Sequence, residues 1–204
     1  MSYMEIDQAQ VIRQLFPRAF ADDPMFAHIR YDAVGRQRLM RWFFLACARL
    51  AARGGEVHLD GDRAGAIWIR PGAAAFSLSN ILRSGWWHLP WVTGLRGLLR
   101  FAPYGWHALR SERRHHAARC WFLLALAVDP DAQGQGLGRS IVQPVLDCAD
   151  HEGVPCYVET VKRDNLSFYR RLGFEIVYEA RLDDQRFFWA LIRPTPAANQ
   201  STHS

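Results

Sequence analysis

The chain has 204 residues, half of them hydrophobic, and a formal net charge of +5 carried almost wholly by arginine, since Lys162 is its only lysine. This length and composition suit one globular domain with a sizeable core and give no sign of a second. No apolar run reaches the roughly 18 residues of a membrane span, and residues 1–10 lack the basic start and apolar stretch of a secretory signal, so a cytoplasmic protein with no membrane partner is expected. The four cysteines, Cys47, Cys120, Cys148 and Cys156, lie scattered in apolar segments without a metal-ligand pair and read as small buried hydrophobes.

In chain order, Asp7 to Phe20 sets Val11, Ile12, Leu15, Phe16 and Ala19 on one helical face. Asp22-Asp23-Pro24 ends that helix, because proline disfavours helical dihedrals in the residue before it. A second helix is predicted from about Gly35 to Ala52, stopping at Gly54-Gly55. Glu56–Leu59 and Ala64–Ile69 read as a β-hairpin around Asp60-Gly61-Asp62. Residues 71–118 are predicted as a helical, Trp-rich insertion, with short helices over Leu78–Trp87 and Leu95–Phe101. Its tryptophans Trp86, Trp87, Trp91 and Trp106 fit core packing, a substrate pocket or an oligomer interface.

Trp121 to Val128 is a continuous apolar run and reads as a buried strand. Leu137 to Glu152 shows helical spacing, with Pro144 inside expected to cost about 3 kcal/mol or to kink the helix. Val154–Thr160 is the next strand and Asn165–Leu172 a short helix capped by Gly173. Phe174–Ala180 and Arg186–Ile192 form a last hairpin around Asp183-Asp184. Residues 1–193 are therefore expected to make one domain, and 194–204 a disordered polar tail.

Between the buried strand and the helix lies Asp129-Pro130-Asp131-Ala132-Gln133-Gly134-Gln135-Gly136-Leu137-Gly138-Arg139. Glycines there admit positive φ and close approach to a ligand. The loop amides and the helix start then point one way and favour phosphate oxygens. A Walker loop would need a Gly-Lys-Ser/Thr that is missing. A dinucleotide fingerprint would need a third glycine where Arg139 stands. A glycine-rich turn without a ligand remains open on these residues alone.

Gln133-x-x-Gly136-x-Gly138 resembles the Q/R-x-x-G-x-G/A signature of the GNAT superfamily of acetyl-CoA-dependent N-acetyltransferases. Leu124 to Pro130 looks like that family's fourth strand. Asn165 to Phe174 is similar to its second signature, which ends in tyrosine, three residues and Gly-Phe. The likeness is specific over 121–178, weaker over the N-terminal helices and the hairpin, and runs out over 71–118. It implies an α/β (α+β) fold: a mixed, strongly bent sheet flanked by helices, opened between two strands by a cleft for coenzyme A. Carried onto this chain, backbone groups of Leu126, Ala127 and Val128 would pair with the pantetheine arm. Amides among Gln133, Gly134, Gln135, Gly136, Leu137, Gly138 and Arg139 would hold the pyrophosphate. Asn165, Phe168 and Tyr169 would line the cofactor. Many members place the asparagine seven residues before the tyrosine; here the gap is four, which keeps both on one helix face but about a turn closer.

Acetyl transfer needs a deprotonated amine and gains from a proton donor at the departing thiolate. Tyr169 is the expected acid and Glu159 the candidate base, with cofactor packing and a structural carboxylate as their respective alternatives. His115 and His116 are further base candidates beside Arg110, Arg113, Arg114 and Arg119, although a solvated basic face explains them too. Asp22 and Asp23 fit either an acceptor site or helix termination. The expected partner is a small-molecule amine, with protein acetylation and non-catalytic acyl-CoA sensing as alternatives. No metal is expected and no nucleic acid, because the arginines are spread along the chain. A homodimer is possible.

Overall fold

The computed structural model describes residues 6–73, 77–115 and 119–195; His116 and most of the tail lie outside them. Three helices open the chain, α1 (Ile6–Ala19), α2 (Pro24–Ile29) and α3 (Ala33–Gly54), followed by the hairpin β1 (Gly55–Asp60) and β2 (Ala64–Ile69). After α4 (Leu78–Ser84) and α5 (Leu89–Arg114) come β3 (Trp121–Val128), α6 (Leu137–Glu152), β4 (Cys156–Thr160), α7 (Asn165–Arg171), β5 (Glu175–Arg181) and β6 (Phe187–Arg193). The six strands form one mixed sheet in the order β1-β2-β3-β4-β6-β5.

Period-two alternation divides the core between the two faces of this sheet. Ile67, Phe122, Tyr157 and Phe188 pack with Phe16, Phe26, Phe44 and Leu50 of α1–α3. Their strand neighbours Trp68, Leu123, Val158 and Trp189 pack on the other face with Val142, Val145 and Leu146 of α6 and Leu166 and Tyr169 of α7. Arg193 clamps α6 to β6 through a bidentate pair with Asp150, at 2.5 and 2.6 Å.

The feature that positions the site lies in β3. It pairs with β2 as Ile67↔Ala125 and then Trp68↔Leu123, so Leu124 is an extra residue, a β-bulge. Parallel pairing with β4 covers Trp121, Phe122 and Leu123 and stops there. The bulge bends β3 away from β4 where that pairing ends, and residues 124–128 face an open wedge.

Several local readings change. α1 ends at Ala19, before Pro24 is reached, and Pro24 starts α2: Asp23 caps the new helix by accepting from the amides of Met25 and Phe26 at 2.9 and 3.4 Å, and proline suits the first helical turn. In place of a short helix, the insertion holds a helical segment of 26 residues that Gly94 (φ 67°, ψ 172°) divides in two, the longer part continuing through Pro103. Pro144 does not divide α6. Pro144 and Ser140 are both exposed, so the carbonyl that loses its amide partner faces water. Cys47, Cys120 and Cys156 are buried as expected, whereas Cys148 is exposed on α6.

Candidate active site

The wedge beside β3 opens into a cleft of about 620 Å³ lined by Leu126 and Val128 of β3, by the glycine loop and by Asn165, Phe168 and Tyr169 of α7. Gly136 caps α6 at φ 81° and Gly134 sits at φ 77°, conformations that L side chains rarely adopt. A Cβ at either position would meet nothing within 4 Å, so backbone conformation, not crowding, selects glycine there. Gly138 is different: a Cβ would come within 3.4 Å of Phe168 and Val128, which lets the first turn of α6 sit close to α7 and β3.

Among the described residues, the amides of 134–138 have no hydrogen-bond partner in the protein. The amides at the two ends are engaged, Gln133 with the Pro130 carbonyl at 3.5 Å and Arg139 with that of Gly136 at 3.1 Å. Arg139, Lys162 and Arg171 line the same cleft. Unpaired amides, a helix start and three cations together fit a diphosphate.

Of the other residues anticipated at the cofactor, Ala127 is fully buried on the opposite face of β3, and the Gln135 side chain turns away to accept from Arg63 at 2.9 Å. The main chain of Ala127 pairs with Gly65 of β2, whereas the Gln135 amide is left to a ligand. Gln133 Nε2 donates to the Val128 carbonyl at 3.4 Å, tying the loop to the end of β3. Asn165 Nδ2 donates to Thr160 Oγ1 at 3.2 Å, fastening the start of α7 to the end of β4.

A second cavity of about 230 Å³ adjoins the cleft, and Phe20, Asp23, Leu126, Asn165 and Tyr169 line both. Its walls are aromatic, including Phe43, Trp86, Phe101 and Phe122, and three carboxylates reach it, Asp23, Glu112 and Glu159. Burial pushes Glu159 up to about 8; a hydrogen bond from Tyr157 opposes the rise and the charge of Glu112 adds to it. The Tyr157 hydroxyl donates to Glu159 Oε1 at 2.7 Å and lies 2.8 Å from Ser111 Oγ. A phenol has one proton, so Ser111 supplies the other hydrogen bond. Burial also lifts Asp23, to about 6, against its two capping amides, and raises Glu112. Tyr169 is buried, its phenol is pushed upward by burial, and it remains protonated across the neutral range.

His115 caps α5 at its C-terminus and lines neither cavity. Asp22 accepts from Lys162 Nζ at 2.7 Å across the cleft mouth, and that bond holds its carboxyl below the ordinary value. Trp86 packs on Trp42 and Phe43, with ring centroids 5.7 and 5.2 Å apart, whereas Trp87, Trp91 and Trp106 are exposed. Phe20, Lys162, Glu112 and the Tyr157–Ser111 pair escaped the sequence reading. One signal was available, Glu112 being the sole acid between residues 71 and 120.

A bulged strand parting from its parallel neighbour, with a phosphate-ready loop at the opening, defines an acyl-CoA acetyltransferase architecture. The acetyltransferase (GNAT) domain model matches residues 97–176, and the chain belongs to the GNAT superfamily of N-acetyltransferases, whose donor is acetyl-CoA. That match begins within the segment where no likeness was legible in the sequence. An N-acetyltransferase of Schizosaccharomyces pombe is 30% identical over 166 residues, 76% of this chain and 66% of that protein. The peptidyl-lysine N-acetyltransferase YjaB of Salmonella typhimurium is 32% identical over 75 residues, 37% of this chain and 46% of that one. The matches thus span two thirds or less of these relatives. In fold, the chain resembles the crystal structure of the histone acetyltransferase HPA2 and related acetyltransferase of Corynebacterium glutamicum, with TM-score 0.63 and 21% identity over 96% of this chain and 94% of that one.

Proposed function

We propose that the chain is an N-acetyltransferase that acetylates a small primary amine with an apolar body. The observation carrying this reading is the meeting of two unlike cavities at Tyr169, one with free amides and cations, the other aromatic and floored by carboxylates. Bound acetyl-CoA supplies an activated acetyl thioester. The unpaired amides of 134–138 and the cations of the cleft hold phosphate, and the edge of β3 beyond Leu123 offers strand-like pairing to an extended amide arm. An amine in the aromatic cavity arrives protonated, since alkyl ammonium groups have a pKa near 10. Glu159 takes that proton; with its carboxyl raised to about 8, it is a stronger base than an ordinary glutamate once ionised. Tyr169 Oη keeps its proton at neutral pH and holds it where negative charge develops on sulfur.

A cavity of about 230 Å³ is smaller than the roughly 300–1,000 Å³ of sites for drug-sized ligands, which favours a small acceptor over a lysine within a protein, the substrate type named for the Salmonella relative. The test is a panel of amines assayed for thiol release from acetyl-CoA and from longer acyl donors. Turnover is expected with compact apolar primary amines. Turnover confined to peptides would reassign the acceptor, and thiol release that no amine accelerates would leave an acyl-CoA-binding sensor.

A further inference from the structure

The insertion carries an amphipathic helix turned the unusual way round. From residue 95 onward, the face of α5 directed into the protein holds Gly97, Tyr104 and Ser111, which are buried. The opposite face holds Leu95, Leu99, Trp106 and Leu109, each between 53% and 75% exposed. Their spacings of four, seven and three residues make one continuous stripe. Trp91, Trp87 and, from α4, Leu78 and Leu82 add further exposed apolar surface. Isolated exposed leucines are ordinary; a contiguous stripe with tryptophans marks an interaction face.

The charge around it says what kind. Residues 71–120 contain seven arginines and one acid, Glu112, while the rest of the chain holds eighteen lysines and arginines against nineteen acids. Arginine is spread evenly; it is the acids that are missing here, so the whole positive excess of the protein belongs to this segment. Arg96, Arg110, Arg113 and Arg114 are exposed on α5, beside or within the stripe. Glu112 points to the inner cavity and does not offset them.

We infer that the α4–α5 face docks on an anionic lipid bilayer, with α5 lying in the headgroup region. Leucine and tryptophan on one side and arginine flanking them are the composition of interfacial helices. Among the described residues no helix is long and apolar enough to cross a membrane, so the contact is peripheral. Self-pairing fits the charge poorly, because a two-fold interface would set this acid-free, arginine-rich face against its own image. A membrane-docking face departs from the expectation of no membrane partner and is independent of the acetyl-transfer reading. The inner face of the same helix walls the aromatic cavity through Phe101, Tyr104 and Ala108.

The test sediments the full chain with vesicles of phosphatidylcholine alone or with about 30% phosphatidylserine. Expected are co-sedimentation with the anionic vesicles, a blue shift of tryptophan emission, and at least about tenfold weaker binding at about 0.5 M salt. The triple variant Leu95→Gln, Leu99→Gln, Trp106→Gln and, separately, Arg96→Gln with Arg110→Gln should each weaken binding at least about tenfold while keeping the circular dichroism and thermal midpoint. The inference is overturned if the protein stays in the supernatant with anionic vesicles at low salt, if neutral vesicles bind it equally, or if the triple variant binds undiminished. It is overturned as well if sedimentation velocity finds a dimer that the triple variant dissociates, which would assign the stripe to a second copy.

Discussion

Glu159 binds its proton more tightly in the folded protein than in the unfolded chain, and that difference has two measurable consequences. Its ordinary value is 4.5 and the fold raises it to about 8. Below the lower value both states are protonated and nothing is lost. As pH rises between the two, the unfolded chain ionises while the folded one resists, so the stability contribution falls and is gone above pH 8. Glu159→Gln cannot ionise, and its thermal midpoint above pH 8 should exceed the parent's by several degrees, with little difference in acid; melting curves across pH check this. In the opposite sense, kcat/KM of the parent should rise with pH toward a plateau above about 8. Glu159→Gln should be slower by about 10²-fold or more and lose that limb. Tyr169→Phe should retain affinity for coenzyme A by calorimetry and lose about 10²-fold in kcat; unchanged turnover would leave Tyr169 a packing residue. These side chains stand in the sequence beside recognisable neighbours, yet neither the Tyr157–Ser111 bond nor the nearness of Glu112 to Glu159 could be read there, because 46 residues separate Tyr157 from Ser111 and no local spacing encodes such a contact.

At the scale of elements, the glycine loop and the bulge in β3 act together. The loop follows from glycines at positions with positive φ, a property of residue type, and it was legible. The bulge at Leu124 arises from two strands of unlike register meeting in a sheet, and the uninterrupted apolar run Trp121–Val128 gave no hint of it. Gly136→Val should cost about 1–2 kcal/mol for a β-branched residue forced to φ 81°, and weaken coenzyme A binding at least about tenfold by displacing the amides; a thermal melt and a calorimetric titration measure the two effects. Pro24 and Pro144 teach the same lesson in opposite directions. Proline rules concern one amide and its neighbours, so they marked a break after α1 but missed that Asp23 could cap another helix at once. They also overstated the disruption of α6, where solvent satisfies the freed carbonyl.

For the whole molecule, the cleft joins the α1–α2 turn, β3, α6 and α7, so a ligand there ties together parts far apart in the chain. Saturation at about 100 times Kd should add about 2.7 kcal/mol, or about 5–10 °C in the thermal midpoint of a chain of this size. Coenzyme A lacking its phosphates should give much less, and differential scanning calorimetry decides. The sequence by itself determined the order of the C-terminal elements, the glycine loop between β3 and α6 and the superfamily likeness, all of which depend on residue type and short spacing. Only the tertiary structure decided where β3 leaves β4, that Asp23, Glu112 and Glu159 share one aromatic cavity, and that the apolar stripe of α5 faces outward. Those depend on which surfaces pack against each other, and burial is a property of the assembled chain rather than of any segment.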